Sequence, residues 1–221
     1  MSTIRETAIA VGSYADQKIR VLQRAYLKSG GQATSARAHL ARLRRMDSDA
    51  PGSWIQVGED IFDGFSNLDL RGTQERRAIR TVTATLQLYA IHQQSKDRGM
   101  AYFGDGDAAA KRSMTFGESC RMLATALGEQ GRPGVLRRLT ALEGVSDDFE
   151  GAVHYLRSLI TLMKTQDIPV DYRQLGRDLF LMQHPSTCDD VFMRWSRDFY
   201  SQPSKSEATE EKDGSALTDA Q

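Results

Sequence analysis

Apolar residues recur along this chain at three- and four-residue steps, and no run alternates apolar and polar long enough to force a sheet. Ile19, Leu22 and Tyr26 keep helical spacing. SARAHLARLRRM, residues 35–46, predicts a second helix with Leu40 and Leu43 inward, ended by the turn chemistry of Asp49 and Pro51–Gly52. Residues 53–70 carry Trp54, Ile55, Val57, Ile61, Phe62, Phe65 and Leu68 and predict a short helix over 56–64. Thr73 is placed to cap QERRAIRTVTATLQLYAIHQQ, whose inward stripe is Ile79, Val82, Leu86, Tyr89 and Gln93. Its threonines lower helix propensity, so packing has to hold it. Residues 95–113 then form a long irregular segment with Gly99, Gly104 and Gly106, read as a mobile basic loop.

The second half is more regular. Thr115 and Glu118 have capping-box spacing before a helix with Cys120, Leu123 and Leu127 inward, which Gly128 and Gly131 stop. PGVLRRLTALEG predicts a short helix burying Val135, Leu136, Leu139 and Leu142. Asp147 and Glu150 suggest another capping box, for a helix with Val153, Leu156, Ile160 and Met163 inward. Pro169 interrupts, Asp171 can cap YRQLGRDLFLM, and Asp189 or Asp190 begins a last helix carrying Phe192, Trp195 and Phe199. Trp195 and Phe199 lie on an apolar stripe, which makes them core rather than a stacking platform. The fold class that follows is all-α, a compact helical bundle over 1–200, with a division into two small lobes left open. Residues 201–221 are acidic and polar and read as a disordered tail.

Composition narrows the class. No stretch of the 221 residues approaches the roughly 20 apolar residues of a membrane span. Arg5 and Glu6 fall where a secretory signal would be unbroken, and two cysteines make no disulfide framework, so a cytoplasmic home is expected. Twenty-nine basic residues balance 29 acidic ones, yet the two signs are segregated. Residues 17–46 hold Lys18, Arg20, Arg24, Lys28, Arg37, Arg42, Arg44 and Arg45 without an acid; residues 47–69 hold Asp47, Asp49, Glu59, Asp60, Asp63 and Asp69 without a base. Such a chain can carry a strong local field at zero total charge. Arginine-rich helix faces are equally often plain solvated surface. Against that, Leu40 and Leu43 turn inward and leave Arg37, Arg44 and Arg45 for the outer face, where guanidinium forks suit phosphate oxygens. Aromatics are not interleaved with the basic runs, so electrostatic tracking is expected more than base stacking.

Catalytic and metal chemistry finds little support. His39, His92, His154 and His184 belong to no HExxH or His–Cys cluster. The DGD at 105–107 lacks the other oxygens of a calcium loop, and FGDGDAAAKRS lacks the ending of a phosphate-binding loop. Asp147 and Asp148 fit helix capping better than a carboxylate pair. His92 reads first as a packed ring bonded to a carbonyl or carboxylate, with a phosphate or base contact as the other reading. No cofactor is expected.

The order LQLYAIHQQSK, a glycine-rich insert, MTFGESCRMLA, RPGVLRRLTALEG, AVHYLRSLITLMKTQDIPVDYRQLGRDLF and RWSRDFY resembles the small-subunit family of CRISPR Cascade, the CasB family of type I-E systems. The resemblance spans roughly residues 20–200 and rests on the order of weak motifs. It implies a non-enzymatic all-α subunit, two copies of which lie beside the guide RNA, the Cas7-like backbone and the large subunit, holding target DNA and the displaced strand of the R-loop. It points to Arg44 and Arg45, to Arg137 and Arg138 (one of which can face a core carboxylate), to Arg157, and to Lys96 and Arg98 after the histidine–glutamine pair. Lys111 and Arg112 of the insert, with Arg37 and Arg42 of the early basic run, complete the expected nucleic-acid contacts. A helical protein–protein scaffold with a basic docking face is the alternative.

Overall fold

A computed structural model describes residues 3–46, 52–104 and 113–201. The fold is all-α: the described residues hold nine α-helices, one 3-10 turn at Phe65–Leu68, and no strand. The helices are α1 (Ile4–Tyr26), α2 (Gly31–Arg45), α3 (Ser53–Phe62), α4 (Gly72–Gln93), α5 (Phe116–Ala126), α6 (Gly128–Gly144), α7 (Phe149–Thr165), α8 (Tyr172–Met182) and α9 (Pro185–Tyr200).

Helix α4 is the axis of the bundle. From Thr81 to Ala90 every residue is buried, because α1, α2, α7 and α8 all pack on it. Its threonines are therefore held by tertiary contact, with Thr85 Oγ1 donating to the Thr81 carbonyl at 2.7 Å. Helix α1 lies most extensively on α8, where Gly12 makes the approach possible: a Cβ there would stand 2.4 Å from the Arg173 carbonyl oxygen. The buried apolar residues form one continuous cluster, including Trp195 and Phe199 as expected.

Capping chemistry explains both the agreements and the misses. Thr115 and Glu118 form the expected box at α5, and Asp171 accepts from the Gln174 amide to cap α8. The α7 cap is Asp148, not Asp147, since Asp148 Oδ1 takes the Glu150 amide at 3.1 Å. Helix α4 starts at Gly72 with no side-chain cap, so Thr73 lies inside it. Helix α9 begins at Pro185, ahead of Asp189, because proline fits a first turn whose amides are unpaired anyway. Gly128 breaks α5 at a positive φ, but Gly131 does not stop anything: α6 starts at Gly128 and carries Pro133 within it. Helix α3 spans Ser53–Phe62 rather than 56–64.

The expected mobile loop is tied down in its first part. The buried Gln93 side chain donates to the carbonyls of Lys96 (3.4 Å) and Arg98 (2.7 Å) and accepts the Met100 amide (3.0 Å). Gln23 of α1 accepts the Ala101 amide at 2.9 Å, and Ala101 forms an isolated parallel bridge with Val170. Residues 105–112, with the DGD turn, Lys111 and Arg112, and the tail from 202 lie outside the described residues.

Candidate nucleic-acid interface

The basic run of α1 and α2 divides in space. One part turns toward acids. Lys18 Nζ reaches Asp63 at 3.3 Å, Arg20 Nε donates to Asp16 at 2.7 Å, and His39 Nδ1 lies 2.6 Å from Asp60 and 2.9 Å from Arg42 Nη2. The acidic block of α3 and the turn after it thus folds back onto the basic run that precedes it. Arg42 joins this face through His39.

The other part meets cations. Arg44, in the last turn of α2, donates to the Ala90 carbonyl of α4 at 3.4 Å. Burial holds its guanidinium below the ordinary range, Tyr26 acts the other way, and Arg45 adds to the depression. Lys164, in the last turn of α7, is lowered by burial first, then by Arg44 and by Lys96. Three segments remote in sequence therefore bring Arg44, Lys96 and Lys164 together. A cation cluster lowers its own pKa values because each charge disfavours the next. Arg45 is exposed beside it, its Nε on the Ala41 carbonyl at 3.2 Å.

Lys96 is held by Asp167, Nζ to Oδ1 at 2.5 Å. The hydrogen bond from Lys96 keeps the Asp167 carboxyl low; desolvation opposes this, and the charges of Lys96 and Arg98 reinforce it. Arg98 is exposed on the pinned loop. Arg157, two turns before Lys164 on α7, donates from Nη2 to Gln87 Oε1 at 3.0 Å, and Gln87 passes the link to the Met46 carbonyl at 3.0 Å. It ties α7 to the end of α2, and its Nε is buried without a partner. Arg37 lies 5.5 Å from the ring centroid of Tyr26. The expectation of basic runs free of aromatics fails here: Tyr26 belongs to the run itself, and the fold sets it against Arg37 and near Arg44.

The second-half arginines do not join this cluster in any recorded contact. Arg137 is exposed on α6. Arg138 bonds Ser158 Oγ and the Gly134 carbonyl, both at 2.9 Å, so a hydroxyl stands where a carboxylate was expected. His92 is fully buried and bonds the Tyr172 hydroxyl at 2.9 Å through Nδ1, and the backbone of Ile168 also acts on its ring. Burial pushes its pKa down to about 3, with Lys164 and Lys96 adding to the effect, so its ring is neutral. Sequence reasoning missed Lys164 as a site residue; its seven-residue step from Arg157 on one helical face was the available signal.

Residues 39–200 match the sequence profile of the CRISPR-associated protein Cse2 family. The chain belongs to the Cse2 family. A solved Cse2-type relative, CasB from Thermobifida fusca, is 27% identical, with a TM-score of 0.69 over 86% of this chain and 98% of that one. Curated protein sequences gave no match. The Cse2 profile takes in Arg42, Arg44, Arg45, Lys96, Arg98, Arg157 and Lys164, while Arg37 and Tyr26 precede it. Among the described residues of this Cse2 chain, no three His, Cys, Asp or Glu side chains gather as a metal site, and no helix is long and apolar enough to cross a membrane.

Proposed function

We propose that the chain is a non-catalytic nucleic-acid-binding subunit of a type I-E Cascade complex. In this reading it stabilises target DNA and the displaced strand of the R-loop beside the guide RNA. It works in contact with the Cas7-like backbone, the large subunit and a second copy of itself. One observation carries the reading: Arg44, Lys96 and Lys164 arrive from α2, the loop after α4, and α7 to make one basic surface. Like charges gathered at a cost to each other have a use when an anion completes them. Phosphate contacts position a strand and give salt-dependent affinity, while base pairing with a guide reads sequence. Arg45, Arg98, Arg37 and Tyr26 extend the surface.

Complexes assembled with and without the chain test this. Strand-specific footprinting should show longer-lived R-loops when it is present, and the chain alone should cut neither DNA nor RNA. Equal lifetimes at all salt concentrations would remove the strand-binding role and leave a protein-docking face.

A further inference from the structure

The cluster of Arg44, Lys96 and Lys164 holds one ion pair among the described residues, that of Lys96 with Asp167. Asp167 occupies the place an anion would take. Its side chain is 45% exposed, whereas that of Lys96 is 20% exposed, so solvent and ligand reach the carboxylate side of the pair. The position is fixed by backbone on both sides. Asp167 ends α7 in the left-handed region at φ 54°, the Ile168 amide donates to the Met163 carbonyl at 3.0 Å, and Val170 is bridged to Ala101. A non-glycine residue tolerated in that conformation is most readily Asn or Asp. The turn alone therefore accepts an uncharged amide, and the charge at this point is a separate choice.

We propose that Asp167 is an affinity-setting residue of the strand site: an intramolecular rival of phosphate that occupies Lys96 and limits how tightly the cluster grips a nucleic-acid backbone. The inference rests on the strand-binding reading. A phosphate approaching Lys96 must displace a carboxylate already at hydrogen-bond distance and remain beside its negative charge. Lys96 then adds little net affinity, and the site stays weak enough to release a strand. Without the carboxylate, Lys96 joins Arg44 and Lys164 as a full phosphate contact.

The test titrates fluorescent single-stranded and duplex DNA with the full-length protein at several salt concentrations. The variants are Asp167→Asn, Lys96→Ala, the two combined, and Arg44→Ala with Lys164→Ala. Asp167→Asn should bind about fivefold more tightly at low salt, an ordinary size for one exposed charge interaction. Its slope of log affinity against log salt should steepen by about 0.7 for single strands or about 0.9 for duplex, the value of one added phosphate contact. Lys96→Ala alone should bind more weakly than Lys96→Ala with Asp167→Asn, because the single change bares the carboxylate. Asp167→Gly, also at ease at positive φ, repeats the test without the amide, and circular dichroism checks each fold. Unchanged affinity and slope in Asp167→Asn, with weakened binding in the Arg44 and Lys164 double variant, would overturn the rival role and spare the strand site. Unchanged binding in that double variant would overturn both.

Discussion

The two faces of the C-terminal half of helix α2 treat their basic residues differently. On one face His39 bonds Asp60 of α3, and Arg42 bonds His39. Within a turn, Arg44 meets Lys164 and Arg45 instead. The first arrangement balances itself inside the chain and needs no outside ligand. The second concentrates charge that, among the described residues, meets a carboxylate only at Asp167. Segregated charge in sequence is thus not segregated charge in space: neighbours in one basic run become a brace and a cation cluster, according to which helix passes opposite.

Acid provides the largest effect that separates fold from surface. His92 lies beneath the cluster with its folded pKa near 3. Its neutral form contributes stability that is complete above the unfolded value of 6.5 and is lost as pH falls from there toward 3, at about 1.4 kcal/mol per unit. Asp178, raised by burial to about 6, acts with the opposite sign in an overlapping window, so the comparison must be with a variant. The stability gap between wild type and His92→Gln should narrow by about 2 kcal/mol between pH 6.5 and 4.5, read by urea unfolding. A constant gap would place His92 in water rather than in the core.

Next comes the brace. Asp60→Ala leaves His39 without its carboxylate and should cost about 1–3 kcal/mol in urea unfolding, with the salt slope of strand binding unchanged. A lost slope would merge the two faces of α2 into one surface. The face that carries Arg44 should answer in reverse. Arg44→Ala with Lys164→Ala should lower the salt slope by about 1.4 to 1.8 while thermal unfolding holds. Reduced incorporation into the complex with a normal slope would make the cluster a docking face. The smallest contrast is on α6: Arg138→Ala should cost about 1 kcal/mol for its bonds to Ser158 and Gly134, and Arg137→Ala less than about 0.5 kcal/mol.

Helix periodicity made most of the fold legible. Leu40, Leu43, Leu156, Ile160 and Trp195 are buried where the spacing puts them. Boundaries were harder, because caps compete within a residue or two: Asp148 takes the amide that Asp147 could have taken, and Pro185 starts α9 before the aspartates are reached. The site was legible only as a list of basic residues. Which of them are neutralised depends on α3 folding back, and which converge depends on the ends of α2, α4 and α7 meeting. Neither fact is local. Tyr26 and Lys164 were both in plain sequence view, but their value comes from neighbours 11 or more residues away, Arg37 in one case and Arg44 and Lys96 in the other.

The two glutamines under the loop after α4 set a clock. Met100 and Ala101 belong to neither helix nor named strand, yet Gln93 and Gln23 hold their amide protons. The Tyr102 amide is held by Val170 at 2.9 Å. Exchange of these protons with solvent should wait for the bonds to Gln93, Gln23 and Val170 to open. Lys96 and Arg98 are thus carried on backbone that side chains of two helices hold in place.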